Sequence, residues 1–114
     1  MGFFNFFGNL SEEISKFADA GMQMNIDELI YRMSRTSKKT EVMGYSKALK
    51  IKFQKLDDSG ADDYELERYF DMSFERGSHT EMGKQAMFSV MQRRGLAHKE
   101  GGYITRDYWA FLLL

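Results

Sequence analysis

The chain has no cysteine and no proline. Without cysteine there is neither a disulfide framework nor a thiolate metal site, and nothing in the composition calls for an oxidising compartment, so a cytoplasmic protein is expected. Without proline the commonest helix breaker is missing from all 114 residues, which makes helix the default expectation. Histidine is scarce as well: His79 and His98 are the only two and fall in different elements. A metal site would need carboxylates that the sequence does not place beside them, and no metal or cofactor is expected. Long apolar runs are also absent. The opening MGFFNFFGN is too short for a membrane span or a secretory core and lacks a basic start, and Phe6 stands where an N-myristoylation signal needs Ser or Thr. No membrane partner is expected.

Catalytic signatures are missing in the same way. There is no phosphate-binding glycine motif and no nucleophile elbow. The acids of Asp57–Asp63 suggest a calcium loop until Gly60 is set at loop position six, which puts Lys55 first and Leu66 where a bidentate Glu is required. Ser78, His79 and Glu81 are near neighbours in sequence, which makes a helix start and no triad. The chain is expected not to be an enzyme.

What is present is material for one core. Hydrophobic residues make up 43% and charged residues 29%, with ten Phe, six Tyr and nine Met, and a chain of this length buries roughly two-thirds of the surface its unfolded form exposes. A single domain over 1–114 is expected, of fold class mainly α: a compact bundle of about five helices with a C-terminal β-hairpin.

Four phenylalanines surround Asn5 in an aromatic N-terminal segment, residues 1–8, that precedes any helix signal; it is either a sticky patch or a clamp on the domain's own core. Asn9 with Glu12 reads as a capping pair for a first helix whose face holds Leu10, Ile14, Phe17, Ala18 and Gly21. Asn25 with Glu28 opens a second, carrying Ile26, Leu29, Ile30 and Met33. The basic SRTSKK stretch, 34–39, is a loop, and Thr40 is placed to cap a third helix with Val42, Tyr45, Leu49, Phe53 and Leu56. Within it Leu49 to Phe53 also alternates with period two, so residues 48–56 are open to strand or helix. Asp57-Asp58-Ser59-Gly60 is a turn. Asp62 with Glu65 starts a fourth helix, bearing Leu66, Tyr69, Phe70 and Phe74 and stopped by Gly77.

Ser78 with Glu81 starts a fifth helix that ends at Gly95. Ala86, Met87, Val90 and Met91 form its inner side with Met82 and Phe88 at the margins, while Glu81, Gln85, Ser89, Gln92 and Arg93 share the opposite face. Gly101-Gly102 between Leu96–Glu100 and Tyr103–Asp107 reads as a tight hairpin. The end, 108–114, is an apolar tail that packs on the core or on another copy, so a homodimer is one expectation.

The small net charge of −1 hides blocks. Residues 32–56 hold eight bases and one acid (+7), residues 57–75 eight acids and one base (−7), and residues 76–106 six bases and two acids (+4). The first two blocks are expected to neutralise each other, with lysines on the outer helix face paired to neighbouring acids. Tyr45 and Phe53 among Lys47, Lys50, Lys52 and Lys55 form a mixture that binds single strands if the rings are exposed and belongs to the core if they are not.

A capped helix followed by Arg93-Arg94-Gly95-Leu96, a short strand, a glycine turn and a second strand resembles the end of a winged helix-turn-helix, over residues 62–107. The resemblance implies a regulatory protein that binds double-stranded DNA: Lys84, Gln85, Ser89, Gln92 and Arg93 would face the major groove, with Arg94, Lys99 and Arg106 near phosphates. The same architecture also serves as a protein-binding module, so the alternative is an adaptor or inhibitor that meets a protein partner through its charge blocks or aromatic N-terminus.

Overall fold

The computed structural model describes the backbone of residues 2–75 and 80–107 and the side chains of residues 10–73 and 81–107. The elements run α1 (Gly2–Met22), α2 (Ile26–Arg35), α3 (Lys39–Asp58), α4 (Asp63–Glu75), α5 (Thr80–Arg93), β1 (Ala97–Glu100) and β2 (Tyr103–Arg106). This is the mainly helical bundle with a C-terminal two-stranded hairpin that the hydrophobic spacing predicts.

Two helix starts are made by the expected side chains. Asn25 Oδ1 accepts from the Glu28 backbone N–H at 2.9 Å, and Asp62 Oδ1 accepts from that of Glu65 at 2.9 Å, each satisfying an orphan donor of the first turn. Two starts differ from expectation. The first helix does not start at Asn9, because α1 already runs from Gly2 through it. Once the C-terminal part of α1 is held by packing, each further residue adds a hydrogen bond at little cost, and nothing between Gly2 and Asn9 forbids continuation. Thr40 lies inside α3, and the cap position falls to Lys38, which makes no side-chain cap bond. The Thr40 hydroxyl is taken instead by a long-range acceptor, Glu13 Oε1, at 3.0 Å.

Helix ends follow the glycines. After α3, Gly60 has φ 88°, with Ala61 N–H donating to Leu56 C=O at 3.3 Å and Gly60 N–H to Asp57 C=O at 3.0 Å. After α5, Gly95 has φ 73°, with Leu96 N–H donating to Met91 C=O at 2.8 Å and Gly95 N–H to Gln92 C=O at 3.0 Å. Both are Schellman closures that need a left-handed residue. The hairpin turns through Gly101 and Gly102, both at positive φ, and pairs Glu100 with Tyr103, Lys99 with Ile104, His98 with Thr105 and Ala97 with Arg106.

The centre of the bundle is α3. Residues 48–56 are helix throughout, so the strand alternative is excluded. Val42, Tyr45, Ala48, Leu49 and Phe53 are buried there against Leu29, Ile30 and Met33 of α2 and Met87, Val90 and Met91 of α5, and Leu66 and Phe70 of α4 join the same core from across α2 and α5. Each such large apolar side chain contributes about 1.5–3 kcal/mol when fully withdrawn from water. Tyr45 and Phe53 are 3% and 0% exposed, which makes them core and removes them as a stacking surface.

The helices α1 and α3 run parallel in contact. Glu13 sits beside Lys38 and Thr40, Ile14, Phe17 and Ala18 lie against Gly44, and Gly21 lies against Ala48. A Cβ on Gly44 would stand 2.4 Å from Phe17 Cβ and 2.7 Å from the Ile14 carbonyl oxygen, so glycine is what permits this approach.

Several expectations lie outside the described residues: the side chains of the aromatic segment 1–8 (and so its clamp on the core), the Gly77 stop, the Ser78 cap, His79 and the tail 108–114.

Candidate functional site

The exposed face of α5 is as expected. Gln85, Ser89, Gln92 and Arg93 are exposed, opposite buried Ala86, Met87, Val90 and Met91. Lys84 is half-buried, 3.3 Å from Glu81. Phe88, expected at the margin, is buried.

The arginines of this region are engaged inside the molecule. Arg93 Nη2 donates to Asp57 Oδ2 at 2.9 Å and to Gln54 Oε1 at 2.8 Å, both on α3. Arg94 bridges Asp57, at 2.7 Å, and Asp63, at 2.9 Å, and so ties the end of α5 to the α3–α4 turn. Arg106 is the most enclosed, with its side chain only 5% exposed. It donates to Asp71 Oδ1 at 2.8 Å and Glu67 Oε2 at 2.5 Å on α4, and to the Asp107 carbonyl at 2.9 Å.

Strand register explains the burial. Ala97, Lys99, Ile104 and Arg106 share the hairpin face turned towards the helices, and Lys99 Nζ lies 5.2 Å from the Phe88 ring centroid. The outer face carries His98, Glu100, Tyr103 and Thr105. Of the cations assigned to phosphates, Arg94 and Arg106 are held by carboxylates, while Lys99 leans over the Phe88 ring and stays exposed.

His98 has Asp107 Oδ1 2.6 Å from Nδ1 and Glu100 Oε2 3.4 Å from Nε2. The bond to Asp107, seconded by Glu100, raises its pKa above the usual histidine value despite a smaller opposing effect of desolvation. With an acid at each nitrogen the ring is favoured as imidazolium, which suits a structural clasp better than a general base. Among the described residues no group of three His, Asp or Glu side chains is placed to hold a metal ion.

The pairing of charge blocks differs from expectation in a way that bears on function. The acids Asp57, Asp63, Glu67 and Asp71 are met by the last basic block, through Arg93, Arg94 and Arg106. Most of the first basic block, residues 32–56, is left over. Arg32 pairs with Glu28 and Lys38 with Glu13, whose carboxyl is held below the usual range chiefly by the Lys38 bond. No described carboxylate, however, lies within 4 Å of the ammonium groups of Lys39, Lys47, Lys50, Lys52 or Lys55.

The last four of these lysines surround an apolar residue. Ile51 is 46% exposed on the outer side of α3, one turn from both Lys47 and Lys55 and flanked by Lys50 and Lys52. Beside it a shallow groove of about 350 Å³ is lined by Asn25, Ile26, Lys52, Lys55, Leu56 and Tyr69. Periodicity alone does not find this patch, because Ile51 looks like a core residue of a strand or helix. The signal that could have found it is its place off the Val42–Tyr45–Leu49–Phe53 stripe, in the densest run of lysine. No protein-family model, curated protein or solved structure matches this chain.

Proposed function

We propose that this chain is a non-enzymatic protein-binding adaptor or inhibitor, and that it meets an acidic partner segment through the lysine-ringed Ile51 patch of α3 and the adjoining groove. One observation carries the reading: four lysines without a described acidic partner surround an exposed isoleucine, while Asp57, Asp63, Glu67 and Asp71, four of the eight acids of the next block, pair with arginines elsewhere. An apolar anchor with a basic ring suits a partner that offers an apolar side chain between carboxylates. The ring would set orientation and association rate, and the anchor the residence time.

The winged-helix reading, with duplex DNA on Lys84 to Arg94 and the hairpin, is the rival. It would have to draw on exposed Gln85, Ser89 and Gln92 with little free positive charge beside them, whereas DNA affinity rests on cations that displace counterions from phosphate.

The test is capture from nuclease-treated lysate of the source cells, comparing the wild-type chain with Lys47→Glu/Lys55→Glu, alongside titration of duplex DNA at rising salt. The expected result is a partner that survives nuclease, weakens with salt and is lost with the double variant, whose helical melt is unchanged. A partner retained by that variant overturns the patch. Salt-dependent duplex binding lost on Gln85→Ala/Gln92→Ala would return the function to DNA.

A further inference from the structure

The exposed residues of α3 follow a regular order. Lys39, Met43, Lys47, Ile51 and Lys55 succeed one another at intervals of four, and all five side chains are exposed, Met43 at 42% and Ile51 at 46%. Residues four apart are neighbours on a helix surface, so base and apolar side chain alternate along a single ridge, with Lys50 beside its middle. No described carboxylate lies within 4 Å of any of these lysines. Met43 shares a groove of about 280 Å³ with Lys39, Val42 and Met82 of α5, and past Ile51 the ridge borders the groove of Lys52, Lys55 and Tyr69.

We propose that the acidic partner segment is an amphipathic α-helix that crosses α3 along this ridge, setting a carboxylate at Lys47 and apolar side chains one turn to either side, against Met43 and Ile51. Further acids of that helix face Lys39, Lys50 and Lys55. Resting on the function proposed above, this gives the acidic segment a fold and extends its footprint from Ile51 to Met43. Rows spaced by four packed against one another are the commonest way two helices meet, at about −50° with axes about 8–10 Å apart, and the contact centres on a few residues. Met43, Lys47 and Ile51 are that centre, and the outlying lysines are its rim. Charge complementarity sets the partner's composition: a ridge without an acid of its own draws carboxylates, and apolar residues between them cover Met43 and Ile51.

Other occupants fit the ridge less well. An extended peptide finds nothing to bond, because the interior backbone groups of α3 are spent within the helix, whereas a helical partner satisfies its own. A flat lipid surface cannot meet both apolar residues at once. A row spaced by four turns by about 40° per step, so Met43 and Ile51 point about 80° apart with Lys47 between them. A nucleic-acid strand would use the lysines but set Met43 and Ile51 against phosphate, and the rings that could stack, Tyr45 and Phe53, are buried.

The experiment follows by fluorescence anisotropy the binding of two labelled synthetic peptides of about 20 residues to the full chain. One alternates Glu and Leu at every fourth residue of an alanine-rich helix. The other is identical except that two central alanines are replaced by proline, which keeps charge and apolar content but breaks the helix. The helical peptide is expected to bind about tenfold more tightly, and to weaken about tenfold on Met43→Ser and on Lys47→Glu, variants whose helical melts are unchanged. Equal binding of the two peptides overturns the helix and leaves the patch a site for acidic segments of any form. Binding that Ile51→Ser abolishes and Met43→Ser leaves intact overturns it too, by confining the contact to Ile51. Should neither peptide bind while the lysate partner is still lost with Lys47→Glu/Lys55→Glu, the helix fails and the proposed function stands; should that partner also be missing, both fail. Sedimentation with phosphatidylserine vesicles in place of peptide binding would overturn the helix in favour of a lipid surface.

Discussion

Replacing Gly44 by alanine tests the α1–α3 packing on which the bundle depends. In an isolated helix the change is favourable by about 1 kcal/mol, because glycine has more backbone freedom to lose. Here the new methyl would sit 2.4 Å from Phe17 Cβ, 2.7 Å from the Ile14 carbonyl oxygen and 2.8 Å from the Ala18 nitrogen. Ordinary carbon contacts lie near 3.5–4.0 Å, so α1 must withdraw by about an ångström. Two of the three obstacles are backbone atoms, which no rotamer change can move. A gap of that size forfeits a quarter to a half of the dispersion energy along the seam, and overpacking of this kind costs roughly 1–3 kcal/mol. Taking the upper end and subtracting the helix gain leaves a net loss of about 2 kcal/mol.

Gly83→Ala is the control. Its Cβ would meet only Ser73 Cβ, at 3.6 Å, so the helix gain of up to ~1 kcal/mol should survive there. Urea unfolding followed by circular dichroism reads both, as a midpoint lowered for Gly44→Ala and raised or unchanged for Gly83→Ala, with the slope preserved. Should both alanines move the midpoint the same way, the close approach of α1 and α3 would be refuted.

Arg106→Gln leaves Asp71 and Glu67 without their cation. The cost expected in the same urea assay is about 2–3 kcal/mol, below the usual figure for breaking a buried pair because both carboxylates keep partial access to water. A neutral result would mean that the arginine is not enclosed. Asn25→Ala removes the acceptor for Glu28 N–H and should cost about 1 kcal/mol, with Asn25→Ser close to wild type. For His98 the folded pKa is raised by Asp107 and then Glu100, so the charged ring favours the native state. Its contribution is complete below the ordinary value of 6.5 and fades as pH rises through the folded pKa. The stability gap between wild type and His98→Gln should therefore narrow as pH rises above 6.5, and a gap that widens would reverse the assignment.

Element type was legible wherever a local signal and burial agreed. Asn25 and Asp62 cap because the Glu three residues later offers a backbone N–H within side-chain reach, and nothing distant competes. Thr40 has equal local credentials, but Glu13, 27 residues earlier, takes its hydroxyl, and no window along the sequence contains that fact. Asn9 fails for the complementary reason: a cap is useful only where a helix has cause to end, and α1 has none on its N-terminal side. The glycine stops were legible because positive φ is a property of one residue. The Gly101-Gly102 turn was legible for the same reason, and it fixes the register that turns Arg106 inward.

The candidate site was less legible, because charge blocks state how much charge there is and leave open which block meets which. Sequence order favours +7 against −7, since they are adjacent. The fold brings the end of α5 and the hairpin alongside α4 and the α3–α4 turn, and arginine suits the task there, because its planar fork can bond two carboxylates at once, as Arg94 and Arg106 do. The −7 block holds one arginine and the last block four, whereas the run from Lys38 to Lys55 has only lysine. Lysine is a compact, strongly hydrated charge that loses little by remaining in water. The division of residue type between the two basic blocks thus matches the division of labour: arginines close the structure, and lysines keep the outer face of α3 charged. On the function proposed above, a surface that retains net positive charge around Ile51 would attract an acidic partner from beyond contact range, over about 8–10 Å at physiological salt. Salt should therefore slow association with that partner more than it hastens release.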